Sequence, residues 1–249
     1  MTYAFILTTL AGLATLLGII PIFIKTKNES AIISSSCAFA GGVMICVSVL
    51  DLIPSSIEYL QSNYSHITVI FFTLISLLFG VYLSYFMDKK VDKISNGSNL
   101  FKVGILSMIA IILHNIPEGI VTFIVTNKNI FLGISLCIAI AMHNIPEGIS
   151  IAVPIYYSTK SKFKAILYTL ISAISEPLGA FLTYLFIEKF INNTSLGLLF
   201  SFIAGIMIQI SLNKLLPTSS RYNKKSTITF FIIGFIFMTI SLLLNSLIS

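Results

Sequence analysis

The chain has 249 residues and a formal net charge of +6, with 56% hydrophobic residues, 10% charged residues and a mean hydropathy of +0.99. A water-soluble domain carries about 25% charged residues, so composition excludes that class. The basic excess does not point to nucleic acid either, because its lysines are scattered over short connections between apolar runs.

In chain order the apolar runs cover residues 4–24, 31–53, 68–87, 103–126, 131–156, 165–187, 196–216 and 227–248. Each can cross about 30 Å of hydrocarbon at about 1.5 Å per residue. The expected fold is therefore all-α: a polytopic membrane protein with eight transmembrane helices, 1–249 forming a single membrane domain in the lipid bilayer. The first run has no basic leader and no small-residue cleavage pattern, so it reads as a retained helix rather than a signal peptide.

Connections are short. The longest polar one, 88–102, holds no histidine. With the N-terminus outside, the inner connections hold Lys25, Lys27, Lys89, Lys90, Lys93, Lys102, Lys160, Lys162, Lys164, Lys214, Arg221, Lys224 and Lys225, and the outer ones only Lys128 and Lys189. That asymmetry orients the protein in the cytoplasmic membrane with both termini outside, and one missed span would destroy it. Cys37, Cys46 and Cys137 lie in apolar runs without paired spacing, so neither a disulfide nor a thiolate metal site is expected. His66 falls in an outer loop and reads as a solvated surface residue.

The second and seventh runs resemble each other. Met44, Ser48 and Pro54 recur with equal spacing as Met207, Ser211 and Pro217, each group preceded by Ala-Gly. These two runs cross in opposite directions, so spans 1–3 and 6–8 read as inverted triplets around the fourth and fifth. Inverted repeats with interrupted helices near the midplane mark transporters.

The fourth and fifth runs carry the chemistry. His114-Asn115-Ile116-Pro117-Glu118-Gly119 returns unchanged as His143-Asn144-Ile145-Pro146-Glu147-Gly148. Residues four apart share a helix face, so His114 and Glu118 point together, as do His143 and Glu147. Both copies fall near mid-span on consecutive antiparallel helices and can meet at similar depth. Pro117 and Pro146 remove the N–H that would serve Leu113 and Met142, and such carbonyls are tolerated in a membrane where they face protein, water or a cation. Glu176, followed by Pro177, adds a third mid-span carboxylate in the sixth run.

A mid-membrane carboxylate costs about 2.5–3.5 kcal/mol, so three exposed to lipid would cost roughly 8–10 kcal/mol. No lysine or arginine stands at mid-span to neutralise them. A divalent cation is the economical partner. Two histidines, two asparagines and three glutamates offer nitrogen and oxygen donors without thiolate, which suits zinc, ferrous iron, manganese or cobalt and not cuprous copper. With bridging carboxylates, the set can hold two adjacent ions. A purely structural polar network between helices is the competing explanation, and two identical six-residue copies plus Glu-Pro argue against it.

The doubled motif, the Ser-Glu-Pro of the sixth span and the eight-span layout resemble the ZIP (zinc- and iron-regulated transporter-like) family, in particular its bacterial zinc-uptake branch. The resemblance implies a 3+2+3 helix arrangement, uptake of Zn(2+) or Fe(2+) as cargo with no resident cofactor, and a homodimer. It also implies one metal site from His114, Glu118, His143 and Glu147, and a neighbouring one from Asn115, Asn144 and Glu176 with a shared Glu118 or Glu147. Two departures stand out. The connection between spans 3 and 4 lacks the His-rich stretch of many relatives. Near the end of span 2 Asp51 is kept as a candidate entrance residue, whereas span 7 has Asn213 and Lys214, and a protonated lysine cannot ligate metal. Lys214 is expected to snorkel to the headgroups as an anchor. Met44 and Ser48 are open between path lining and core filling.

The expected mechanism is alternating access: entry past Asp51, capture by the two motifs and Glu176, then movement of one outer bundle against the central pair. A proton-coupled exchanger or a selective channel are same-class rivals, and a metal sensor would bind without flux. An intramembrane metalloprotease would need His-Glu-x-x-His, which this sequence lacks, so no enzyme activity is expected.

Overall fold

A computed structural model describes residues 1–94, 97–187 and 192–248. Ser95, Asn96 and Lys189, together with the side chain of Lys93, lie outside the described residues. Among those described there is no strand, and eight helices are long and apolar enough to cross a membrane. They are α1 (Thr2–Phe23), α2 (Glu29–Gln61), α3 (His66–Val91), α4 (Asn99–Lys128), α5 (Ile130–Thr159), α6 (Lys162–Leu185), α7 (Asn193–Tyr222) and α8 (Lys224–Ser246).

Most helices outrun their apolar cores because capped polar ends continue them. Asn28, Ser98, Ser161 and Asn192 each accept a backbone N–H of the first turn of α2, α4, α6 and α7. Asn129 alone joins α4 to α5. Its backbone is extended, its N–H closes α4 on the Val125 carbonyl, and its side chain accepts from Phe131 and Leu132 to open α5. This one-residue turn locks the two motif-bearing helices antiparallel.

Two helices run past the prolines at which the apolar pattern stops. α2 widens to π geometry over Ser48–Leu52 and α7 over Ser211–Leu215, and each resumes as α-helix with proline as its second residue. Pro54 cannot bond the Leu50 carbonyl and its ring would press on it; the wider turn absorbs that conflict. Asp51 and Lys214 therefore sit inside long helices, not near their ends as the apolar runs suggest. Lys214 does not reach for headgroups: its Nζ lies 2.5 Å from Asp88 Oδ1 on α3, with both side chains mostly buried.

The helices pack in two groups. α1, α4, α5 and α6 pack on one another; α2 packs on α7 and α8 and also against α5 of the first group, and α3 packs on α7. The second group shows reciprocal close approaches. Gly42 of α2 abuts the Phe231 carbonyl of α8 while Gly234 of α8 abuts that of Phe39, and Gly205 of α7 abuts the Leu77 carbonyl of α3 while Gly80 of α3 abuts that of Phe202. Exchanging α2 for α7 and α8 for α3 turns one set into the other, consistent with the inverted sequence repeat. α2 and α7 are the most enclosed helices, with 61% and 67% of their apolar windows buried, against 22% for α3 and α8. Exposed Leu74, Leu78 and Phe79 on α3 and Ile232, Ile236 and Ile240 on α8 give those two helices apolar outer faces suited to lipid. Met44 belongs to the apolar core and Ser48 donates to its carbonyl at 2.8 Å, so both fill the interior.

Candidate metal centre

α4 and α5 run continuously through Pro117 and Pro146 and bury both motifs. His114, Glu118, His143 and Glu147 are 1–8% exposed, and Asn115, Asn144 and Glu176 are fully buried. The final glycine of each motif explains this closeness. A Cβ on Gly119 would strike the Glu176 carbonyl of α6, and one on Gly148 would strike the Thr15 carbonyl of α1. Bare backbone lets α6 and α1 press against the motif helices at the depth of the carboxylates.

Donors of both copies converge. Glu118 Oε1 lies 2.8 Å from His143 Nε2 and 3.1 Å from His114 Nε2, and Glu147 Oε1 lies 3.5 Å from His114 Nε2. One ligand atom from each of His114, Glu118 and His143 can be chosen so that all lie within 4.8 Å of one another. Tetrahedral zinc draws nitrogen and oxygen donors to about 2.0–2.2 Å, so small adjustments would close this set on an ion. Beside it, Asn144 donates from Nδ2 to Glu176 Oε2 at 2.8 Å and to the Ala11 carbonyl at 3.0 Å. Asn115 donates to the Ser172 carbonyl at 3.2 Å. These amide bonds turn the two side-chain carbonyl oxygens away from the helix backbones.

Acceptors outnumber donors. Glu118 Oε2, both oxygens of Glu147, Glu176 Oε1 and the Oδ1 atoms of Asn115 and Asn144 are buried without a hydrogen-bond partner. Native interiors satisfy nearly all such atoms, and a buried unpaired carboxylate is especially costly. Six such oxygens among these residues match the donor chemistry of a divalent cation. The three buried cysteines are elsewhere: the Sγ of Cys46 meets Thr239, and that of Cys137 meets the Leu7 carbonyl.

Of the seven sequence-predicted residues, His114, Glu118, His143 and Glu147 meet in one buried cluster, Asn144 is bonded to Glu176, and Asn115 is held on the Ser172 carbonyl. Asp51 does not touch them, but it shares a cavity of about 580 Å³ with Glu118 and His143. That cavity opens toward the α4–α5 turn, past Ser55, Glu58, Tyr59, Val125 and Leu132. Ser55 donates to Asp51 Oδ1 at 3.5 Å. Ser55 and Glu58 are additions to the sequence reading. Their spacing from Asp51 puts all three on one helix face, a signal hidden by ending the helix at Pro54. Toward the opposite helix ends apolar side chains pack around the centre. Val103, Ala110 and Ile111 of α4 and Ile151 and Ile155 of α5 join Val47 of α2 and Ile210 of α7 in one apolar core. His66 is exposed at the start of α3.

Comparison with known proteins gives a consistent picture. A family model described as ZIP zinc transporter matches residues 90–242. A protein of Streptococcus mutans named zinc transporter ZupT is 37% identical, with 97% of each chain covered. Proteins of the same name from Clostridium perfringens and Oceanobacillus iheyensis are 37% and 35% identical, over 97% and 98% of this chain and 95% and 98% of theirs.

Proposed function

The chain belongs to the ZIP zinc transporter family, and from that premise we propose that it carries divalent metal ions, zinc foremost, into the cell across the cytoplasmic membrane. The carrying observation is the set of six buried oxygens without a hydrogen-bond partner beside two histidines, with Glu118 and His143 also lining a cavity. Such a pocket is expensive when empty of charge and favourable around a cation. Its residue set takes iron, manganese or cobalt as well as zinc.

The Lys and Arg distribution makes the cavity mouth extracellular, because it opens where α4 meets α5 and the lysines cluster at the opposite helix ends. A cation is drawn in by Glu58 and Asp51, loses water, and is taken by Glu118 and His143, which line both the cavity and the centre. His114, Glu147, Asn144 and Glu176 complete its shell, and two neighbouring ions can share Glu118 or Glu147.

Release requires the apolar core below the centre to part. The packing supports α1, α4, α5 and α6 moving as one body past α2, α3, α7 and α8. This differs from movement of an outer triplet past the central pair, because α1 and α6 are pressed onto α5 and α4 through Gly148 and Gly119. Opening on alternate sides then exposes the same centre inward.

Uptake by purified protein in liposomes tests this reading. Zinc influx should saturate with external zinc and be reduced by competing manganese or ferrous iron. Flux that rises without limit would identify a channel, a matched proton current an exchanger, and binding without flux a sensor.

A further inference from the structure

Resting on the reading that the buried centre binds a divalent cation, we propose that the hydroxyl of Thr15 is a further oxygen donor of that centre, the α1 counterpart of Glu176. The first argument is positional. Asn115 and Asn144 hold the same place in the two motifs, and each donates its amide to a carbonyl of an adjoining helix. Asn115 uses Ser172 of α6, and Asn144 uses Ala11 of α1. Glu176 follows Ser172 by one helical turn, and Thr15 follows Ala11 by the same interval. The motif glycines agree: Gly119 abuts the Glu176 carbonyl and Gly148 the Thr15 carbonyl. One step further, Gly179 presses on the backbone of α4 and Gly18 on that of α5. The two outer helices therefore present Glu176 and Thr15 to the motif pair from equivalent positions.

The second argument is the state of the hydroxyl. A helical threonine ordinarily donates to the carbonyl four residues back, as Thr8 does to Ala4, Thr169 to Ala165 and Thr183 to Gly179, each at 2.8 Å. For Thr15 that carbonyl belongs to Ala11, and it accepts the Asn144 amide instead. Thr15 Oγ1 is left buried and unpartnered, on a residue with no solvent exposure. The amide that engages its default acceptor also bonds Glu176 Oε2 at 2.8 Å. Gly12, on the same side of α1, faces the Cβ of Glu176. Ala11 and Gly12, one turn before Thr15 on α1, thus meet a motif side chain and a site carboxylate.

The chemistry is complementary. A glutamate at both equivalent positions would add a fourth buried carboxylate. A hydroxyl supplies a neutral oxygen to a hard or borderline cation without adding charge.

Zinc affinity of the full-length purified protein, measured by competition with a fluorescent chelator, tests the proposal. Thr15→Val keeps the shape without the hydroxyl and should weaken zinc roughly tenfold, while Thr15→Ser should stay within about twofold of the parent and both should keep the apo melting temperature. A direct probe of contact is Thr15→Cys loaded with Co(2+), which should show a near-ultraviolet thiolate charge-transfer band absent from the parent. Parental affinity in a folded Thr15→Val, or no new band in Thr15→Cys, overturns the proposal. If the parent itself binds no zinc, or binds it equally after His143→Ala with Glu147→Ala, the underlying reading fails instead.

Discussion

Glu118 is the hinge between the two motif copies, since one of its oxygens is within 3.1 Å of both histidines while the other is buried and unpartnered. Glu118→Ala leaves two imidazoles facing each other without a shared acceptor and removes a ligand on the wall of the entrance cavity. Zinc affinity should fall by roughly a hundredfold or more, since even loss of a supporting group beside a metal costs about 10–100-fold; equilibrium competition with a chelator measures it. Protons compete for the same atoms, because histidine binds metal as the neutral ring and glutamate as the carboxylate. Lowering the pH from about 7.5 to about 5.5 should therefore weaken zinc binding, and raising it again should restore affinity. At this scale the burial of the seven polar residues was legible in the sequence because polar residues repeated inside apolar runs are too costly to face lipid. Thr15 was not, since a threonine in a membrane helix can donate to the carbonyl four residues back. Thr73, Thr122 and Thr126 also have buried hydroxyls without a partner, and what marks Thr15 is that Asn144 holds the carbonyl one turn before it.

At the scale of helices, the closing glycine of each motif makes a specific prediction. Gly119→Ala drives a methyl group into the Glu176 carbonyl and must push α6 away from α4. A destabilisation of about 1–3 kcal/mol is expected, visible as a lower unfolding temperature in detergent, with weaker zinc binding because Glu176 moves too. Lys214→Ala should also destabilise, by roughly 1–3 kcal/mol, somewhat less than the about 3–5 kcal/mol of a fully buried pair. It would strand Asp88, whose side chain is only 14% exposed. Double substitution with Asp88→Asn should recover most of that loss. Helix number was legible because eight apolar runs are separated by charged connections. Helix ends were not. Pro54 and Pro217 look like terminators, and whether a chain stops or inserts a π turn depends on the packing available to the widened segment. In α2 and α7 that segment packs on the other of these two helices, so the helices continue past Asp51 and Lys214.

For the whole molecule, the grouping of α1 and α6 with α4 and α5 was beyond the reach of pattern reasoning. The inverted repeat is a relation in sequence, whereas packing partners are chosen by which glycines meet which carbonyls across the bundle. The consequence is that the buried histidine–glutamate cluster lies among α1, α4, α5 and α6, with Glu118 and His143 lining a cavity that also holds Asp51. The most direct measurement is zinc uptake into liposomes by the parent and by the His143→Ala, Glu147→Ala double variant. Uptake should be saturable in the parent and absent in the variant, with the variant still folded and inserted. Unchanged uptake in that variant would contradict the account, since the cation would then be crossing without the doubled motif.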